Sequence, residues 1–424
     1  MKWIVRPSKL SGSITVPPSK SHTIRAILIS ALAEGRSVIR NPLIKGDGNS
    51  AICGARSLGA RVELQGDTLY VEGIGGDYSG GSQHFDMGNS GTGTTLFASV
   101  AALGSKMRRF DGDESLRSRP VKPLLEALCA LGATCDCEGS NSDLPFTVRG
   151  PIRGGKVSVD GISSQFVSSL LLACPLVSED THITVNNLHE HPYVEMTLWW
   201  LEKQNIEIEY SQNLTSYNIA GGQAYKPFDI KIPCDFSSAT FSAVAAAVTK
   251  GSVVLNGTDF TDPQGDKIVF DILSEMGASI NKGESSVKVG CGSLKGAHID
   301  LNTIPDSLPA LSIAACLSEG ETYLSNVAQA RIKETDRIAV MNSELSKMGA
   351  TVRELPDGLV IRKSDLRGTH VSGHHDHRVV MALALAGMVA QGETVIDNAE
   401  AAAVTYPTFV EDFKAIGADI SVVE

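Results

Sequence analysis

The chain has 424 residues, 42% of them hydrophobic and 20% charged, with a formal net charge of −11. That length exceeds one ordinary core and predicts two domains, while the composition excludes the disordered and fibrous classes. The acidic balance excludes a general nucleic-acid or anionic-membrane surface, so any cationic cluster has to be local.

The N-terminal Met1-Lys-Trp-Ile-Val-Arg-Pro reads as a short strand without the apolar region of a secretory signal. The longest apolar candidate, Val379 to Ala390, is too short to cross a membrane, so the expectation is a cytoplasmic protein with no membrane partner. The eight cysteines are scattered without CxxC pairs, and reduced core thiols are expected rather than disulfides or metal ligands.

Several segments put charged or hydroxyl residues just before apolar helices. Pro17-Pro-Ser-Lys-Ser-His-Thr-Ile-Arg leads into a helix from Ala26 to Ala33. Ser19 or Ser21 can cap it, and its unpaired N–H groups together with Lys20 and Arg25 make an anion site. Met87-Gly-Asn-Ser-Gly-Thr-Gly-Thr-Thr is similar to a phosphate-binding P-loop but lacks the lysine of GxxxxGK[ST]. A nucleotide-hydrolysing reading is thereby disfavoured, and a glycine-rich loop that can approach a small anion remains. Leu116-Arg-Ser-Arg-Pro-Val-Lys-Pro concentrates cations before a helix that Pro120 or Pro123 can open. Asp160-Gly-Ile-Ser-Ser-Gln places Ser163, Ser164 and Gln165 at a turn before Leu170-Leu-Leu, suited to a phosphate or a sugar-like ring.

In the second half, Ala330-Arg-Ile-Lys-Glu-Thr-Asp-Arg-Ile-Ala spaces Lys333 and Arg337 as one helical face, with Glu334 in reach as a proton carrier. His374-His-Asp-His-Arg precedes the apolar helix from Val379; three histidines so close in sequence are not expected to converge on one metal ion. The shared arrangement, a cation and a capping residue at the start of an apolar helix, favours a site for small polyanions.

A repeat organises these segments. A small hydrophobe, Gly-Ala and a strand start recur at Gly59, Gly132, Gly277, Gly349 and Gly417, a period of roughly 70 residues. The gap predicts a sixth copy near residue 205, where Asn205 stands in the glycine's place. Asn is the next best residue at the left-handed position after a helix. A second mark, an Ala-rich helix stopping at a glycine before a β-branched strand, recurs at Gly35, Gly251, Gly320 and Gly392. Three units per domain follow, with a break near residues 220–235, and Ser242–Val248 and Leu308–Leu317 read as helices buried nearly all round.

In order and spacing, Ser19-Lys-Ser-x-x-x-Arg, Gly88-Asn-Ser-Gly-Thr, Arg119-Pro, Ser163-Ser-Gln, Lys333-Glu-Thr-Asp-Arg and Asp376-His-Arg resemble the 5-enolpyruvylshikimate-3-phosphate synthase family, from Ser19 to Phe409. The resemblance implies an α/β fold of two similar domains, each of three βαβαββ repeats in an inside-out α/β barrel. The expected lobes are 1–19 with 233–424, and 20–232. It implies transfer of the enolpyruvyl group of phosphoenolpyruvate to the 5-hydroxyl of shikimate 3-phosphate, with release of phosphate and with no cofactor or metal.

Carried over residue by residue, Lys20, Ser21, Arg25, Ser163, Ser164, Gln165, Asp306 and Lys333 are expected to hold shikimate 3-phosphate. Lys20, Gly91, Arg119, Gln165, Arg337 and Arg378 are expected around phosphoenolpyruvate. Lys20, Asp306 and Glu334 are the expected catalytic residues, the two carboxylates as proton carriers. The lobes are expected to close on these ligands. Three positions depart from the family: Thr95 where an arginine is usual, Val404 where part of the family has a lysine, and Glu190 or His189, depending on register, where a phosphate-contacting serine is usual.

Those departures motivate an alternative, a homolog that acts on shikimate 3-phosphate or a related cyclic phosphate without phosphoenolpyruvate, such as a phosphate-eliminating lyase. A transferase for a uridine-diphosphate sugar fits Ser19-Lys-Ser and Asp376-His-Arg less well. Asp306 and Glu334 argue against a non-catalytic phosphate sensor, and the acidic balance argues against an RNA-processing relative. A monomer is expected, since no heptad seam or exposed apolar helix stands out.

Overall fold

In the computed structural model, which describes residues 1–139 and 143–424, the chain forms two compact units. One comprises Met1–Pro17 with Pro233–Glu424, the other Pro18–Ile232. Ser19, expected in the first lobe, belongs to the second, because its side chain caps the helix Lys20–Leu32. Each unit has its own continuous cluster of buried side chains.

Among the described residues, six four-stranded sheets, three per unit, share one hydrogen-bonding pattern: a parallel pair at one edge, then two antiparallel pairings. In the second unit one repeat runs strand His84–Asp86, helix Gly91–Ala101, strand Arg108–Asp111, helix Lys122–Ala130, then the antiparallel pair Thr134–Cys137 and Phe146–Arg149. The helix Gly91–Ala101 is the crossover that parallel pairing of its two flanking strands requires. Three sheets include a strand distant in sequence: Lys2–Arg6 lies between Thr394–Asp397 and Asp419–Val423, antiparallel to both. Asp229–Lys231 pairs in parallel with Glu34–Arg40, and Ser11–Thr15 with Ser252–Asn256. The chain therefore passes from one unit to the other at Pro17 and Pro18, and returns at Ile232 and Pro233.

Each repeat pairs one buried helix with one half-exposed helix. Lys20–Leu32, Gly91–Ala101 and Ser164–Ala173 are almost wholly buried in the second unit, as are Phe236–Val248, Leu308–Cys316 and His377–Val389 in the first. Helices walled in on all sides must be apolar or small nearly all round, and the runs of Ala, Ser and Val let their backbones approach closely. In the first unit the three buried helices pack on one another; in the second, Gly91–Ala101 packs on the other two.

The repeat marks have a common backbone reason. Gly59, Gly132, Gly277, Gly349 and Gly417 all take positive φ, between 87° and 114°, while Asn205 takes φ 55°. Asn stays in the narrow left-handed well open to L residues, and the glycines go beyond it. Gly251 differs from the other second marks: it carries no positive φ, but a Cβ there would lie 1.7 Å from the carbonyl oxygen of Leu10, so close approach explains it. The thiol expectation needs correction. All eight cysteines are free, but Cys174, Cys234 and Cys316 alone are buried; Cys129, Cys137 and Cys291 are exposed on a helix end, a strand and a loop.

Candidate active site

In the second unit the polar residues gather at the N-terminal ends of the buried helices, where backbone N–H groups lack intrahelical acceptors. Ser19 caps the first by accepting from His22 N at 3.4 Å. Lys20 follows and pairs with Asp47 at 3.3 Å, both side chains largely buried; Ser21 stands half-buried in the same turn. Arg25, one turn on, is 2% exposed. Its guanidinium donates to Thr197 Oγ1 at 2.9 Å, Tyr193 O at 3.0 Å, Ser21 O at 3.1 Å and Ser168 Oγ at 3.4 Å. All four partners are neutral, and burial pushes its pKa down to about 10. A cation buried on neutral partners is ready to take an anion.

The second helix opens at Gly91, behind a cap from Ser90 to Gly93 N at 3.0 Å. A Cβ on Gly91 would lie 3.0 Å from Arg119 Nη1 and 3.8 Å from Gln165 Oε1, so the glycine leaves these two groups room to face one place. Arg119 donates to Asn89 Oδ1 at 2.5 Å and Ser115 Oγ at 3.2 Å. The Thr95 hydroxyl, at the position where the resemblance implies an arginine, lies within hydrogen-bond distance of Gly91 O at 3.0 Å, Thr92 O at 3.1 Å and Gln165 Oε1 at 3.3 Å. Ser163 caps the third helix through Gln165 N at 3.4 Å, and Ser164 donates to Glu190 Oε2 at 3.0 Å.

The first unit holds a denser charge cluster built on Arg337, which is fully buried at the start of the helix Arg337–Lys347. Its Nη1 donates to Asp306 Oδ1 at 2.7 Å, its Nη2 to Glu334 Oε2 at 2.5 Å, and its Nε to Asp376 Oδ2 at 2.8 Å. Arg378 Nη2 meets the other oxygen of Asp306 at 2.8 Å. Burial alone would lower the pKa of Arg337, but Asp376, Glu334 and Asp306 outweigh it and hold the pKa well above its ordinary value. Against burial, Arg337 holds the Asp376 carboxyl below the usual range. Asp376 also caps His377–Val389 by accepting from Arg378 N at 2.9 Å. Asp266 accepts from Ser307 Oγ and Ser237 Oγ at 2.8 and 2.9 Å; burial first, then repulsion from Asp306, raises its pKa to about 6.

One expectation fails on local geometry. Lys333 and Arg337 do not share a helical face: Lys333 ends the 3₁₀ turn Ala328–Ile332 with φ −86° and ψ −148°. Asp336 then starts a new helix, its side chain accepting from Ala339 N at 3.0 Å. Thr335 and Asp336 are better capping residues than helix-interior ones, and this preference overrides the i, i+4 spacing. Glu334, three residues before Arg337, pairs with it across this break. Of the three histidines near 375, His374 bonds Glu344 at 2.8 Å, His375 bonds Asn398 at 3.2 Å, and His377 is buried, its pKa pushed by desolvation down to about 3. Among the described residues no set of His, Cys, Asp and Glu is placed to hold a metal ion. Val404 lies half-buried in the 3₁₀ turn Ala399–Val404.

The structure thus brings together Gly91, Arg119 and Gln165 in one unit, and Asp306, Glu334, Arg337 and Arg378 in the other. Sequence reasoning missed Asp47, Asp266 and Glu190 as partners, and took Asp376 only as part of a motif. Asp376 had a signal, since an Asp before an apolar helix is a cap. Asp47 and Asp266 had none, as acidic residues near helix starts are common.

Comparison with known proteins establishes the family and the fold. The family model described as EPSP synthase (3-phosphoshikimate 1-carboxyvinyltransferase) matches residues 4–413. The chain is 50% identical over 420 residues to the 3-phosphoshikimate 1-carboxyvinyltransferase of Acetivibrio thermocellus, covering 99% of each chain. It is 49% identical, at the same coverage, to that of Ruminiclostridium cellulolyticum. Among solved structures, the EPSP synthase of Acinetobacter baumannii superposes with a TM-score of 0.83 at 27% identity, over 99% of this chain and 100% of that one. The enolpyruvyl transferase NikO of Streptomyces tendae shares the fold, with a TM-score of 0.80 at 19% identity over 99% and 98% of the two chains. The fold is the two-domain enolpyruvyl transferase fold, and the chain belongs to the EPSP synthase family.

Proposed function

We propose that this chain transfers the enolpyruvyl group of phosphoenolpyruvate to the 5-hydroxyl of shikimate 3-phosphate and releases inorganic phosphate. Lys20, Ser21, Arg25, Ser163, Ser164, Gln165, Asp306 and Lys333 hold the phosphorylated acceptor. Lys20, Gly91, Arg119, Gln165, Arg337 and Arg378 hold phosphoenolpyruvate. The observation that carries the mechanism is one buried guanidinium holding two carboxylates, Asp306 at 2.7 Å and Glu334 at 2.5 Å.

In the reaction a proton is added to the methylene carbon of phosphoenolpyruvate, and the acceptor hydroxyl attacks the neighbouring carbon. One of Asp306 and Glu334 gives that proton and the other takes the hydroxyl proton. The tetrahedral intermediate then loses phosphate, and a proton leaves the new methyl group to restore the double bond. An anionic substrate that binds Arg337 competes with the carboxylates for its guanidinium. Displacement removes the counter-cation that stabilises the carboxylate's charged form, so arrival of the substrate also readies the proton carrier. Lys20 and Arg119 offset charge that builds on the departing phosphate.

The test is phosphate release and product mass spectrometry with both substrates and with each omitted. Turnover requiring both, with a product heavier than the acceptor by one enolpyruvyl group, supports the reading. Release from shikimate 3-phosphate alone would instead give the phosphate-eliminating alternative, which family membership disfavours. The proposal includes a monomer working in the cytoplasm; light scattering on the purified protein tests its monomeric state.

A further inference from the structure

Glu190 places a carboxylate among groups that the proposed reaction needs for an anion. It is 1% exposed and lies immediately before the helix His191–Lys203, its backbone in the left-handed region at φ 55° and ψ 38°. Few residues with a long side chain adopt that conformation. It is held there on both sides: His189 N donates to Gly161 O at 3.0 Å, and Tyr193 N donates to Glu190 O at 3.0 Å. Ser164 Oγ donates to its Oε2 at 3.0 Å. Glu190 thus ties the helix His191–Lys203 to the helix Ser164–Ala173. Arg25 bridges the same two helices, through Tyr193 O and Thr197 on one and Ser168 on the other.

A serine hydroxyl has one hydrogen to donate. While Ser164 gives it to Glu190, a phosphate oxygen cannot have it, and a phosphate close enough to take it would lie beside a second buried anion. Like charges at such a distance, away from bulk water, oppose each other strongly. We propose that Glu190 is a specificity-determining residue that occupies the anion position of the acceptor subsite, so that the acceptor's phosphate enters only by displacing it from Ser164. The inference rests on the proposed function for the identity of the acceptor, though not for the presence of an anion subsite. Its consequence is a site that admits a phosphate monoester weakly and loses little by accepting a ring without one.

Glu190→Gln isolates the charge, because the amide oxygen still accepts from Ser164 and keeps the two helices joined. Calorimetric titration with inorganic phosphate is expected to show binding tighter by about ten- to a hundredfold in Glu190→Gln than in wild type, the range set by one unit charge at close approach in a partly buried site. The KM for shikimate 3-phosphate should fall in parallel, with the KM for phosphoenolpyruvate as internal reference. Glu190→Ser, checked by a wild-type thermal melt, should act in the same direction. Unchanged or weaker phosphate binding in both variants overturns the inference, and leaves Glu190 as a pin between helices or as a ligand of the acceptor. If wild type releases no phosphate from the two substrates, the proposed reaction fails, and the phosphate titration still decides the part played by Glu190.

Discussion

Arg337 and Arg25 show two ways of burying a guanidinium. Arg337 is matched by three carboxylates; Arg25 has only neutral acceptors. Their loss should therefore read differently. Glu334→Gln or Asp306→Asn removes a proton carrier, and phosphate release with both substrates should drop by about 10²–10⁴-fold in kcat; full activity in either variant would remove that residue from the chemistry. Arg25→Gln removes a charge that neutral groups surround, so the acceptor KM should rise by roughly ten- to a hundredfold while that for phosphoenolpyruvate moves little, as expected for one charge-assisted contact. Asp266 supplies a pH signature. Burial and Asp306 raise its pKa to about 6 from 3.8, so the folded state binds this proton more tightly than the unfolded chain. Its stabilisation is full below about pH 4 and is lost as pH rises through 6. Urea unfolding should find wild type losing on the order of 2–3 kcal/mol relative to Asp266→Asn between pH 4 and 7; a pH-independent difference would show that the acid does not titrate there.

At the scale of single elements, the left-handed residue after each repeat's outer helix sets where the chain turns back into the sheet. Gly277 has φ 113°, and a Cβ on it would lie 2.6 Å from Ser293 O, whereas a Cβ on Gly132, at φ 101°, would meet nothing nearer than 3.9 Å. Gly132→Ala therefore measures backbone strain alone, about 1–2 kcal/mol. Gly277→Ala should cost clearly more in the same denaturant series, because a backbone oxygen has to move as well. Asn205→Gly should be close to neutral, since Asn205 already sits in the well open to L residues at φ 55°. Equal losses at Gly132 and Gly277 would mean that the contact at Ser293 relaxes freely.

Across the whole molecule, the two units differ in continuity. Residues 18–232 form one uninterrupted stretch with their own buried cluster, while the other unit is assembled from both ends of the chain. Expressed alone, 18–232 should melt cooperatively by circular dichroism, because its three sheets and buried helices take no strand from the other unit. A non-cooperative melt would show that its core is incomplete. The net charge of −11 bears on the same scale. An acidic molecule that binds acidic metabolites must rely on local cations, such as Arg25 on its neutral cage, rather than on its overall field.

The primary structure determined the repeat, since the left-handed position that ends a helix favours Gly first and Asn next, and it determined the capped starts of the apolar helices, since caps and apolar runs act within a few residues. Through its motifs it also pointed to the family that the comparisons show. Partnerships were decided by the tertiary structure alone. Asp306 and Asp376 lie far from Arg337 in sequence yet join its near neighbour Glu334 on that guanidinium, Asp47 answers Lys20, and Glu190 reaches Ser164. The same holds for the strands Ser11–Thr15 and Asp229–Lys231, each of which completes a sheet with a strand distant in sequence. Such pairings depend on which surfaces burial forces together, and an ion pair across dozens of residues leaves no local periodicity from which to read it.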